Sequence, residues 1–263
     1  MDRNRKKQLK TLNKEFQALQ RQEDKLMSAA MKAKPAAWKT GLEDKIPKKV
    51  YTGLNSAFCK GFSVVFLHGR ALIEKTYKKE AIQEDQAVRD YAFQVKGGRR
   101  EVKLMHKNAK KASYLNVAVT TVEGIGLGAL GIGMPDVVLF LTTVLRGIYE
   151  TALQYGFDYE SRQEQMLILK MMAASLSTGE DWFRRNREIN DLLLAETGEV
   201  SEEEFQAQIR ATSNVFAMDM LLLKFIQGLP VVGILGGAAN PVYYNRILRY
   251  VQVKYRRRYL LKY

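Results

Sequence analysis

"GIGLGALGIGMPD", residues 124–136, sets five glycines and a proline into a chain otherwise rich in helix formers. Its core, residues 126–131, has the GxGxxG spacing of a dinucleotide-binding loop. Such a loop needs a strand before it, a helix directly after it, and an acid about twenty residues on at the end of a second strand. Residues 117–122, VAVTTV, supply the chain's only run of strand character. The acids at about the right distance, Glu150 and Asp158, fall in or just after a long helical pattern, and no βα alternation follows. The spacing therefore carries no nucleotide site, and no cofactor is expected.

Two readings of the segment remain. Residues 124–145 form a 22-residue stretch whose only charge is Asp136, nominally long enough to span a bilayer. Pro135-Asp136 falls at its midpoint, where a carboxylate is costly, so a shallow or re-entrant hairpin fits better than a span. The other reading is close helix packing. Gly124 and Gly128, and again Gly233 and Gly237 in a second glycine segment, stand four residues apart, where small residues let backbones approach. Asp136 after Pro135 also suits the first turn of a helix, whose dipole favours a carboxylate.

Outward from this segment, helical signals dominate. Residues 3–33 contain no Gly or Pro. After Pro47, well placed in a first turn, Val50, Leu54, Ala57/Phe58, Gly61/Phe62, Val65 and Leu72 recur at three- and four-residue steps. Ala87/Val88, Tyr91/Ala92 and Val95 continue the pattern until Gly97-Gly98 breaks it. A basic helix follows over 99–115, and long apolar helices over 137–155 and 160–176. Ser201-x-x-Glu204 is a capping box. Asn240-Pro241 leads into a last helix. The chain is predicted to be all-α: a single multi-helix domain over 35–263, with the two glycine-rich segments packed between helices, preceded by a basic N-terminal helix over 1–34.

Charge is the most informative part of the composition. The net +14 resolves into +6 on residues 1–34, +7 on residues 241–263 and only +1 on the body between them. Basic ends imply an anionic partner. On the last helix Tyr244, Leu248, Val251, Tyr255 and Tyr259 form one stripe, with arginines over much of the remainder. Tyrosine beside arginine suits a bilayer interface, with rings at head-group level and cations among phosphates. The expected membrane-binding residues are Arg3, Arg5, Lys6 and Lys7 at one end, and Arg246, Arg249, Tyr255, Arg256, Arg257 and Arg258 at the other. Alternatively the aromatic stripe packs into the core and leaves the arginines exposed. Nucleic acid is the lesser expectation, because no RNP, KH or zinc-finger motif supports it.

Signals for chemistry are sparse. His68 and His106 have no companions at metal-ligand spacing, so no metal site is expected, and GxSxG, HExxH and P-loop motifs are absent from the sequence. Cys59, the only cysteine, reads as a small packing residue and excludes an intrachain disulfide. The basic N-terminus lacks the apolar run of a secretory signal. Glu123, Asp136 and Arg146 are the weak catalytic candidates. Asp136 and Arg146 stand about three helical turns apart and would need different partners.

The order of these features resembles the EcsC family. The resemblance rests on Trp38…Gly41-Leu…Ile46-Pro47, Ala57-Phe…Gly61, Glu123-Gly…Pro135-Asp136…Leu145-Arg146…Tyr155-Gly156, and Leu229-Pro…Gly233…Gly236-Gly…Asn240. It runs from about residue 36 to 258. That likeness implies a mostly bacterial protein of a family named after the third gene of an ABC-transporter operon. It supplies a membrane-related context and no reaction. The expected function is thus an accessory protein at the cytoplasmic face of the cell membrane, contacting anionic lipid or a membrane protein, with a link to transporter or secretion function. The alternative is a hydrolase-like enzyme with its site near Glu123 and Asp136.

Overall fold

The computed structural model describes residues 3–32, 46–118, 135–195, 198–227 and 239–263. Both glycine-rich segments, with Gly124, Gly128, Gly233 and Gly237, lie outside the described residues, as does Glu123. Among the described residues every regular element is a helix and none is a strand. In chain order they are α1 (Arg3–Lys32), α2 (Lys48–Val64), a π-helical turn (Val65–Gly69), α3 (Arg70–Glu74), α4 (Lys79–Lys96), α5 (Arg99–Ala118), α6 (Pro135–Gln154), α7 (Arg162–Leu176), α8 (Gly179–Leu192), α9 (Glu202–Gln227) and α10 (Ala239–Leu260).

The apolar pattern explains the assembly. On α6, Val137, Leu141, Val144, Leu145, Ile148 and Ala152 are fully buried, and the helix packs against α2, α4, α5 and α10. The described half of the apolar stretch considered for membrane insertion is therefore core. No helix among the described residues is long and apolar enough to cross a membrane. A phenylalanine cluster joins α2 to α9, with the Phe216 ring 5.3 Å from Phe58 and 5.4 Å from Phe62, the latter edge-on. Such pairs add about 0.5–1.5 kcal/mol beyond the area they bury.

Several local signals are realised as the sequence implies. Glu204 N–H donates to Ser201 Oγ at 3.2 Å, while the Glu204 carboxylate accepts from Ser201 N–H at 2.8 Å. This reciprocal cap satisfies donors that the first turn of α9 would leave orphaned. Ser161 caps α7 one way only, accepting from Glu164 N–H at 3.1 Å, while the Glu164 carboxylate takes Tyr255 and Arg258 instead. Close glycine packing also occurs, at positions other than the four expected. A Cβ on Gly61 would sit 3.0 Å from Val137 Cγ1, and one on Gly147 would meet the Tyr244 hydroxyl and, at 3.1 Å, Leu248 Cδ1. These glycines bring α2 and α10 against α6.

Two predicted faces shift. The stripe of α2 holds through Val65, but beyond it Gly69 and Ile73 are buried instead of Leu72. The π-helical turn explains this: about 4.4 residues per turn carry the stripe one position onward. On α4 the predicted apolar face points outward. Val88 and Tyr91 are each 69% exposed, while Gln86 and Phe93 are buried.

The basic N-terminal helix makes its own contacts with the helices that follow. α1 packs on α10, α4 and α8 and buries Thr11, Leu12, Glu15, Leu19 and Ala30. Gly97 makes the approach possible. It ends α4 in the left-handed region at φ +58°, and a Cβ there would sit 2.7 Å from the Asn4 carbonyl oxygen. Thr11 Oγ1 donates to the Gly97 carbonyl at 2.8 Å. The basic first helix is built into the domain.

Candidate functional site

The C-terminal helix does not present its charge as the sequence suggested. Tyr255 is buried and donates to Glu164 at 2.7 Å. Arg256 is buried at 3% exposure and binds the equally buried Glu15 at 2.5 Å, and Arg99 holds the other oxygen of that carboxylate. Arg257 pairs with Glu23 at 2.8 Å, Arg258 with Glu164 at 2.6 Å and Arg246 with Asp219 at 3.2 Å. Lys254, 1% exposed, donates to Glu23 and, at 2.8 Å, to Asn190. Burial pulls its ammonium down to about 8, with Glu23 opposing the shift. The tyrosine stripe is core and Arg256 is interior, whereas Arg246, Arg257 and Arg258 are half-buried and paired with acids of α9, α1 and α7. Of the predicted C-terminal set, Arg249 is the one classed as exposed.

This pairing has a second consequence, on α1. Its acids Glu15 and Glu23 turn toward α10, which leaves the outer side of the helix cationic. At 100° per residue, Arg3, Lys7, Lys10, Lys14, Arg21, Lys25 and Lys32 align opposite the buried Leu12, Leu19 and Ala30, and all seven are exposed. They form a ridge about 44 Å long. Arg5 and Lys6 are exposed but lie off it. Asp24 is the exposed acid among the described residues of α1, and it flanks the ridge.

α5, the basic helix expected over 99–115, carries a shorter ridge that was not among the expected membrane-binding residues. Arg100, Lys103, Lys107, Lys110 and Lys111 are exposed on one side, opposite the buried Val102, Met105 and Ala109. Averaging over the whole body between the basic ends hid it. Within residues 99–111 there are six Lys or Arg against the single acid Glu101, and a window of one helix finds the ridge at once. The two ridges meet at the α4–α5 junction, where Lys7 Nζ lies 3.7 Å from the position a Cβ of Gly98 would take. His106, on the inner side of α5, has Nδ1 2.9 Å from the Tyr155 hydroxyl, and burial, with the nearby Arg256 and Lys110 charges, lowers its pKa to about 3.

The two catalytic candidates among the described residues, Asp136 and Arg146, do not converge. Asp136 is exposed in the first turn of α6, and Arg146 binds Glu150 on its own helix at 3.0 Å. A separate polar cluster forms where α3 meets the α6–α7 corner. Tyr159 donates to Glu74 at 2.7 Å, its oxygen lies 2.6 Å from that of Tyr77, and Lys79 bridges Glu74 and Glu160. Burial raises both tyrosines far above their ordinary pKa, so their hydroxyls stay protonated and bonded within the cluster. That is the behaviour of a clasp holding α3 to the corner. Among the described residues no group of three or more His, Cys, Asp or Glu could hold a metal ion.

Over the described residues the fold and its surface define an all-helical protein in which Glu15 and Glu23 of α1 turn toward α10 and cations form two exposed ridges, on α1 and α5. The chain belongs to the EcsC protein family, whose sequence profile matches residues 10–260 and so includes most of α1. No curated protein matches the chain, and no solved structure does.

Proposed function

We propose that this EcsC protein works at the cytoplasmic face of the cell membrane as an accessory protein that docks on anionic lipid through the α1 and α5 ridges. The observation that carries this reading is the segregation of charge on α1. Seven cations line its outer side, while Glu15 and Glu23 are turned away and neutralised by α10. A row of lysines and arginines without interleaved acids suits a plane of head groups, where each contributes about 1 kcal/mol. The attraction fades within a Debye length of about 8–10 Å, so exposed side chains count and interior ones do not.

Co-sedimentation tests the proposal. The protein should pellet with phosphatidylglycerol vesicles and not with phosphatidylcholine, and should be released as salt rises. Changing Lys7, Lys10 and Lys14 to Gln should weaken partitioning by roughly a hundredfold when all three cations reach the surface. Absence of binding to anionic vesicles at low salt would overturn the proposal. So would tight, salt-dependent binding to DNA or RNA without vesicle binding.

A further inference from the structure

Building on the membrane reading, we infer that the outward stripe of α4 is the part of the protein that enters the lipid interface, C-terminal end first. Val88, Tyr91 and Val95, spaced three and four residues apart, are 69%, 69% and 46% exposed on one side of the helix. Three large apolar side chains in a row on an open face are unusual where a core is otherwise well filled. Their pattern would ordinarily mark the buried side.

The surrounding charge identifies the occupant. Following the stripe toward the N-terminus of α4, its line continues into the exposed acids Glu84 and Glu80. At the other end it stops beside Lys96, Gly97-Gly98 and Arg100, where Lys7 of the α1 ridge reaches Gly98. One end of the stripe therefore runs into two exposed acids, with the exposed Lys78 just beyond them, and the other sits between the two basic ridges. A bilayer with anionic head groups attracts the basic end and repels the acidic end. The helix tilts accordingly: Val95 and Tyr91 pass below the head-group phosphates while Val88 stays shallower. Tyr91 suits that depth, since its ring partitions to the interface and its hydroxyl stays with water or phosphate. The cations supply long-range attraction and the apolar stripe supplies contact, the two signals that together make peripheral attachment stable.

The experiment uses the full chain with Cys59→Ser and a single cysteine at 88, 91 or 95, labelled with the environment-sensitive probe NBD. On adding phosphatidylglycerol vesicles, the labels at 95 and 91 should brighten and shift to shorter wavelength, and the label at 88 should respond less. Without vesicles all three should behave as exposed. Unlabelled Tyr91→Ser/Val95→Ser should partition roughly tenfold more weakly, because apolar area no longer leaves water, and should melt as the parent does. Unchanged emission at 91 and 95 in a sample that co-sediments with the vesicles would overturn the insertion and leave ridge docking standing. Failure to co-sediment at all would overturn both. Blue-shifted emission without vesicles, with a doubled mass in sedimentation velocity, would give the stripe to a second copy of the chain and overturn the inference.

Discussion

Arg256→Gln tests the link between the first and last helices. The wild-type guanidinium and the Glu15 carboxylate are 3% and 2% exposed and meet at 2.5 Å. Removing one member of a buried pair leaves the other charged and desolvated, which costs about 3–5 kcal/mol. Here the lower end applies, because Glu15 keeps a second partner in the half-exposed Arg99. A loss of about 3 kcal/mol in a chain of this size lowers Tm by roughly 6–12 °C. Urea unfolding gives the free energy directly and, with Glu15→Gln and the double variant, closes a double-mutant cycle. The double variant should recover most of the loss, since it buries two neutral amides in place of a lone carboxylate. Arg249→Gln, on the exposed side of the same helix, should stay within about 0.5 kcal/mol of wild type. If Arg256→Gln were equally silent, α1 would not be held by this pair, and the account of where the tail's charge goes would fail.

Three further tests address the interior. His106 falls from its ordinary 6.5 to about 3 on burial, so the unfolded chain binds the extra proton first. Stability should drop by about 2 kcal/mol from pH 6.5 to 5, and His106→Gln should flatten that slope in pH-dependent urea titrations. Lys254, at about 8 in the fold against 10.5 in the open chain, acts at the alkaline end. The unfolded chain holds more protons there, so stability should climb by up to about 2 kcal/mol between pH 8 and 10, and Lys254→Met should abolish the climb. Gly147→Ala, whose Cβ would press on Tyr244 and Leu248, should cost about 1–3 kcal/mol through overpacking, read as a lower Tm.

What the sequence disclosed follows the range of the forces involved. The Ser201–Glu204 cap spans three residues and is complete within itself, so it could be read directly. The all-helical fold was legible because its apolar stripes repeat locally. The shift from Leu72 to Ile73 was not legible, since nothing in VFLHG announces a π-helical turn. Helix α4 misled because its most regular apolar face, Val88, Tyr91 and Val95, is the outer one, while the inner face is built on Phe93 and Gln86. The tail misled for a different reason. Its seven cations and the acids of α1 stand more than 200 residues apart, and only the folded chain pairs Arg256 with Glu15 and Arg257 with Glu23.

On the proposed reading, the same pairing decides which charges an approaching anionic surface would feel. A buried ion pair is neutral as a unit, so replacing both Glu15 and Arg256 by their amides leaves the external field almost unchanged. Lys103, Lys107 and Lys110 are exposed and lie in a row on α5, with no ion pair to an acid among the described residues. Changing these three to Gln should weaken partitioning to anionic vesicles by roughly a hundredfold, at about 1 kcal/mol each. It should also flatten the salt dependence, while the melting temperature stays put because each side chain is exposed. The Glu15→Gln/Arg256→Gln protein, assayed on the same vesicles, should bind as wild type does. Equal losses in the two variants would mean that binding senses the integrity of the α1–α10 clasp instead of surface charge. The lysines of α5 would then have no special standing.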